Sequence, residues 1–120
     1  MTTKEGYKSQ MFRITGKVFE TKKPKPVILL VHGIFTTSNF WIVNEPQLAP
    51  SFILADMGFD VWHANNRGNH YAREHVRLKP NQKEFWEFDF VDMGSKDIPD
   101  YIDYILRITK QSKLTLMGHS

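Results

Sequence analysis

Leu114-Thr115-Leu116-Met117-Gly118-His119-Ser120 carries an apolar strand into Gly-x-Ser, the opening of the strained strand-to-helix turn that lifts a serine hydroxyl clear of a sheet. Such a turn continues Gly-x-Ser-x-Gly, because its neighbours must be small for the backbone to bend sharply. Gly-x-Ser alone is unspecific, and its bland reading is a strand followed by a turn. A second strand, far upstream, decides the matter. Val27-Ile28-Leu29-Leu30-Val31 is apolar at every position and rich in branched side chains, as expected of a central strand covered on both faces. It delivers His32-Gly33-Ile34-Phe35, a loop that continues into the small polar residues Thr36, Thr37, Ser38 and Asn39.

Between these two strands the pattern alternates. Leu48 through Met57, with Leu48, Phe52, Ile53 and Leu54 near helical register and Gly58 just beyond, predicts a helix with a glycine stop. Asp60-Val61-Trp62-His63-Ala64 is the next strand, and Asn65-Asn66-Arg67-Gly68-Asn69 turns the chain away from it. From Tyr71 to Asp92 the sequence is polar and aromatic by turns, which predicts an irregular excursion whose Phe85, Trp86, Phe88 and Phe90 pack on the sheet edge. Ile98, Tyr101, Ile102, Ile105 and Leu106 then keep the spacing of one buried helical face, with Asp97 as cap and Pro99 in the first turn; helical structure beginning near Asp92 with a kink at the proline is an alternative. Upstream, Met11, Phe12, Ile14, Val18 and Phe19 suit a strand with one buried face, broken by the tract from Glu20 to Pro26. Strand, strand, helix, strand, helix, strand is the order of an α/β protein with a mostly parallel sheet.

Length and composition agree. The 120 residues, 41% hydrophobic and 24% charged, fit a single domain with one core, without low-complexity tracts or repeats. Val27–Val31, the longest apolar run, is too short to span a bilayer, and Met1-Thr2-Thr3-Lys4-Glu5 lacks the apolar region of a secretory signal. The absence of cysteine fits a reducing compartment but carries little weight, since a piece of a larger protein could leave its cysteines elsewhere. Net charge is +3, mostly from Lys4, Lys8, Arg13, Lys17, Lys22, Lys23 and Lys25. A solvated strand face explains these more simply than nucleic-acid binding, which would want a basic stripe with interleaved aromatics; an anionic membrane surface is a subordinate reading.

In a sheet of this kind ligands bind outside the carboxyl ends of the strands. His32-Gly33-Ile34 and Ser120 both arrive at that edge, so a backbone N–H of the early loop can face the oxygen that gains charge when a serine attacks an ester carbonyl. Neither half is specific alone. In this order, separated by a strand and two helices, they point to an α/β-hydrolase.

Several longer stretches resemble the gastric and lysosomal acid lipase family: the run from His32 to Trp41, Leu54 to Trp62, Asn66-Arg67-Gly68-Asn69, Phe85 to Met93, Asp97 to Ile105, and Gly118-His119-Ser120. Even Glu5-Gly6-Tyr7 resembles the hairpin that follows the family's first strand, which implies that this strand is largely missing here. The resemblance implies that Ser120 is the nucleophile and that Ile34 donates an oxyanion-hole N–H, the second donor being the residue after Ser120. It also implies the order Ser, Asp, His. All five histidines, His32, His63, His70, His75 and His119, precede Ser120, so none is expected to be the base and no acid in this stretch the triad acid. Residues 1–120 are thus expected to form the amino-terminal part of an α/β-hydrolase domain, with the remaining strands, cap, acid and histidine beyond Ser120. The resemblance suggests a secretory, lysosomal or membrane-associated setting.

The function this implies is hydrolysis of lipid carboxylic esters, acylglycerols or sterol esters, at a lipid–water interface, without metal or organic cofactor. The 120 residues alone are expected to be inactive, and an unpaired apolar edge at strand 114–117 to favour aggregation. A catalytically dead hydrolase-like binding or assembly module is the alternative, and a non-lipid esterase of the same superfamily a third. His32 reads as a structural residue of the oxyanion loop and His119 as a spacer. His70 and His75, five apart, do not share a helical face as metal ligands would and read as surface residues. Arg67 reads as paired with a local acid, fixing the loop after its strand, rather than as a partner for a substrate carboxylate, with Gly68 supplying a positive φ. Packing is favoured over a lipid-facing patch for Phe85–Phe90, and Glu84 with Glu87 is too common a pairing to indicate glycoside hydrolysis.

Overall fold

The computed structural model describes residues 1–16 and 23–120. Its strands are β1 (Tyr7–Lys8), β2 (Phe12–Ile14), β3 (Val27–Val31), β4 (Asp60–His63), β5 (Glu74–His75) and β6 (Thr115–Gly118). The main sheet has the order β2-β4-β3-β6, with β3 parallel to both β4 and β6 and β2 antiparallel to β4; β1 and β5 form a separate ribbon. The expected alternation of parallel strands and helices is the architecture observed. The continuation of the second strand through Val18 and Phe19, Lys17 and Lys22, and the start of the Glu20–Pro26 break lie outside the described residues.

The all-apolar composition of β3 follows from alternation, since successive side chains enter opposite faces. Val27 and Leu29 join Trp62 of β4 and Tyr101 and Ile105 of the long helix α3 (Ile98–Thr109) on one face. Ile28 and Leu30 join Val61, Trp41 and Ala55, the last from helix α1 (Pro50–Asp56), on the other. Each fully buried leucine or isoleucine here contributes about 1.5–3 kcal/mol. β2 departs from expectation in part: Phe12 is exposed and packs edge-on against Tyr71 at 5.1 Å, while Ile14 packs on one core cluster and Met11, just ahead of the strand, on the other. β6 is exposed throughout, with Leu116 and Met117 open on the sheet's edge.

Helix α1 starts two residues later than the periodicity suggests, because Pro50 takes the first helical position and holds Ala49 extended. It stops where expected. Gly58, at φ +98°, closes a Schellman motif through Gly58 N–H to Ala55 O (3.1 Å) and Phe59 N–H to Leu54 O (3.1 Å). Helical structure ahead of α3 begins at α2 (Phe90–Asp92), capped by a reciprocal Asp89/Asp92 box, and runs through a π turn over Met93–Asp97. The earlier of the two expected starts is therefore the observed one. Asp97 is not a cap: it has helical φ/ψ and its side chain bonds no backbone N–H. Pro99 offers no N–H to the Ser95 carbonyl, and the wider turn, with Ile98 N–H bonding Met93 O, accommodates it.

A buried Ser–His pair lies inside the sheet layer. Ser51 of α1 is 2.6 Å from His63 Nε2, and His63 Nδ1 is 3.3 Å from the Phe12 carbonyl. With Nδ1–H donating to Phe12, Nε2 accepts the Ser51 hydroxyl, and burial pushes the imidazole pKa down. The pair resembles a catalytic dyad in spacing alone, since both residues are closed to solvent.

Candidate active site

β3 pairs with β6 so that Val31 stands opposite Gly118, and His119 N–H extends the ladder to the Val31 carbonyl at 3.1 Å. The residues that follow, His32-Gly33-Ile34 on one strand and His119-Ser120 on the other, are therefore brought side by side. Gly33 makes the approach possible. A Cβ there would stand 3.1 Å from Ser120 Cβ and 3.0 Å from the His119 carbonyl oxygen, tighter than ordinary van der Waals contact, so a side chain would force the loop and the turn apart by a few tenths of an ångström. Ser120 itself has φ +57°, the left-handed conformation that costs a non-glycine residue about 1–2 kcal/mol and that a nucleophile turn imposes.

His32 fixes the loop. Its buried ring accepts at Nε2 from the Asn66 backbone N–H (3.1 Å) and the Asn69 side-chain amide (3.0 Å), which leaves the proton on Nδ1 to donate to Gly33 O at 2.8 Å. Desolvation lowers the His32 pKa more than the Gly33 bond raises it, so the ring is neutral. Thr36 Oγ1 donates to the same carbonyl at 2.9 Å. Gly33 O and Ile34 N–H share one planar trans peptide, so pinning the carbonyl inward turns the N–H the opposite way. Among the described residues no acceptor takes that N–H.

Below the loop sits a saturated polar network. The Asn65 side chain donates to Gln10 O and Ser38 Oγ and accepts from Ser38 N–H and Asn69, while its carbonyl accepts from Ser9 and Tyr101. Arg67 is paired with acids, but not with a local one: Nε and Nη2 meet the Asp97 carboxylate, 30 residues away, at 2.7 and 2.5 Å, and Nη1 meets Glu5 at 2.8 Å. Burial pulls the Arg67 pKa down, but the bonds to Asp97 and Glu5 outweigh it and hold the guanidinium charged. Its face lies 4.2 Å over the Tyr7 ring. Gly68 has φ +88°, and a Cβ there would strike Phe88 and Trp86. Sequence patterning missed Asn65, Asn69 and Asp97 as site supports; the doubled amide at the end of β4 was the available signal.

The aromatic excursion packs differently from expectation. Phe85 and Phe88 pack edge-on against Tyr7 of the β1–β5 ribbon and belong to neither core cluster of the main sheet, whereas Trp86 is partly and Phe90 largely exposed. Trp86, Phe88 and Phe90 line one wall of a cleft of about 710 Å³, with Ile34 and Phe35 among its other lining residues and Ser120 within it. That volume is in the range of about 300–1,000 Å³ usual for small-molecule sites.

No hydrogen bond joins a histidine ring to Ser120 among the described residues. His32 and His63 are bonded as described, and His119 stacks on Phe40 at 4.4 Å. His70 packs edge-on Tyr71 at 5.0 Å as a surface residue. His75, at the surface but partly covered, accepts the Arg77 and Leu78 N–H groups at Nδ1 and meets Glu5 O at Nε2. Among the described residues no helix is long and apolar enough to cross a membrane.

Residues 26–120 match the family model of the alpha/beta hydrolase fold, and residues 1–45 match that of the partial alpha/beta-hydrolase lipase region. Gastric triacylglycerol lipase of Bos taurus and the tear acid lipase-like protein of Mesocricetus auratus are each 44% identical over 120 residues, covering 98% of this chain and 30% of their own length. Lysosomal acid lipase/cholesteryl ester hydrolase of Homo sapiens is 42% identical over 120 residues, with the same coverage of 98% and 30%. The chain thus spans under a third of the length of these curated relatives. Strand order, the Gly33–Ser120 approach and these matches agree: the chain belongs to the alpha/beta hydrolase fold family and, over nearly all its length, is similar to gastric and lysosomal acid lipases.

Proposed function

We propose that the whole protein hydrolyses carboxylic esters of lipids, acylglycerols or sterol esters, with Ser120 as nucleophile and Ile34 N–H as an oxyanion donor. The observation that carries this reading is the contact of Gly33 with a left-handed Ser120, under a loop whose carbonyl is pinned by His32. Ser120 Oγ attacks the ester carbonyl carbon and its proton passes to a histidine that follows in the whole protein, held by an acid. The tetrahedral oxyanion is met by Ile34 N–H and by the N–H of the residue after Ser120. The alcohol leaves with the proton, and water then releases the acyl group from Ser120.

Each oxyanion donor is worth about 10²–10³ in rate. Residues 1–120 alone are expected to turn over no ester, because no histidine among them is hydrogen-bonded to Ser120 and the buried rings of His32 and His63 are held by other partners. The test is Ser120→Ala in the whole protein, assayed on p-nitrophenyl butyrate and a triacylglycerol emulsion. Turnover should fall by about 10⁴-fold or more. A variant that kept its turnover would remove Ser120 from the mechanism.

A further inference from the structure

Phe90, Gly94 and Ile98 recur every four residues through α2, the π turn and the start of α3, and all three line the cleft, with Met93 beside them. Gly94 is the anomaly in this stripe. At Gly33 and Gly68 a side chain would collide with neighbours, and Gly68 also needs a positive φ. Gly94 has neither constraint: its φ is ordinary, and a Cβ built on it meets nothing within 4 Å. Glycine within a helical turn weakens the helix relative to alanine, and here no close packing compensates. What the missing side chain does is recess the cleft wall between Phe90 and Ile98. The bounding residues are apolar, and Phe90 is 78% exposed, an unfavourable state for a phenyl ring unless something apolar joins it.

We propose that this recess at Gly94, bounded by Phe90, Met93 and Ile98, is the binding site for the acyl chain of the ester, and that residue 94 determines how bulky a chain the cleft accepts. The proposal rests on the reading of Ser120 as nucleophile. The acyl group is the part that belongs there, because it stays joined to Ser120 through both half-reactions while the alcohol departs after the first. Ser120 and Gly94 line the same cleft, so a chain attached to the serine lies in the cavity onto which the recess opens.

Two ester series read this in the whole protein. One holds p-nitrophenol constant and lengthens the acyl chain from butyrate to palmitate; the other holds butyrate constant and lengthens the alcohol. Gly94→Leu should lower the palmitate-to-butyrate ratio of kcat/KM by about tenfold, and Gly94→Ala by a smaller factor with a melting temperature no lower than the parent's. Ser95→Leu, one residue on but outside the cleft lining, should keep the parent ratio. The Gly94→Ala variant carries the test should the leucine variant not fold. A ratio unmoved by both Gly94 variants, an equal shift from Ser95→Leu, or a shift confined to the alcohol series each overturns the acyl site while leaving Ser120 in place. Absence of any Ser120-dependent turnover in the parent protein removes both readings together.

Discussion

The loop after β4 and the loop after β3 leave neighbouring strands on the same side of the sheet, yet they invert each other's chemistry. After β4, Asn65 and Arg67 are polar or charged and buried, and every side-chain group is matched. After β3, Ile34 and Phe35 are apolar and stand 66% and 98% exposed, beside a backbone N–H with no acceptor among the described residues. Burying unpaired polar groups costs about 1–3 kcal/mol each, so the first loop is tolerable only because it is saturated, and saturation makes it rigid. The second loop is open in both senses, apolar surface and free donor, which is what an ester substrate would occupy. One holds the other: Asn66 and Asn69 grip His32, His32 grips the Gly33 carbonyl, and that peptide aims Ile34 N–H.

Breaking the closed loop should cost most. Asp97→Ala leaves the buried Arg67 with Glu5 as its remaining carboxylate, and should destabilise the fold by about 3–5 kcal/mol in urea titration. A loss below about 1 kcal/mol would mean that the pair is not what holds this loop. Asn65→Ala strips partners from Ser38 N–H, Asn69 and Gln10 O, at about 1–3 kcal/mol for each group left dry; a neutral outcome would show that water enters the network.

The pH response should be gentler. Burial lowers the pKa of His32 and of His63, so each binds a proton more readily in the unfolded chain than in the folded one. Their contribution is complete above the unfolded value of about 6.5 and is lost as pH falls through the lowered folded values. Denaturant midpoints measured from neutral to mildly acidic pH should fall, and His63→Gln should flatten the trend; stability that rose on acidification would contradict the neutral assignment of both rings. The open loop sets the floor of the series. Ile34→Ser and Phe35→Ser should each change stability by less than about 0.5 kcal/mol. A larger loss would mean that these side chains pack on the protein rather than wait for a ligand.

Much of this was legible from residue order. The uniform apolarity of Val27–Val31 announces a strand with two covered faces, and Gly58 marks the end of α1, because both signals depend on local periodicity and on the φ that glycine permits. The approach of His32-Gly33-Ile34 to Ser120 follows from two strands delivering loops to one edge. Where reading by pattern failed, a distant partner overrode a local preference. Asp97 has the residue type and place of a helix cap, but Arg67, brought close by the turn after β4, claims its carboxylate. Phe85 to Phe90 reads as one aromatic block, yet its members diverge: Phe85 is buried against Tyr7, Phe88 both touches Tyr7 and lines the cleft, and Phe90 stands exposed at the cleft.

The sequence by itself therefore determined the alternation of strands and helices and the loops that follow β3 and β4, since these rest on short-range covalent geometry and hydrophobic periodicity. Only the tertiary structure decided which polar groups are satisfied, which tautomer His32 holds, and which wall of the cleft Gly94 leaves recessed. Those depend on contacts between residues tens of positions apart, whose energies exist only after the chain has closed on itself.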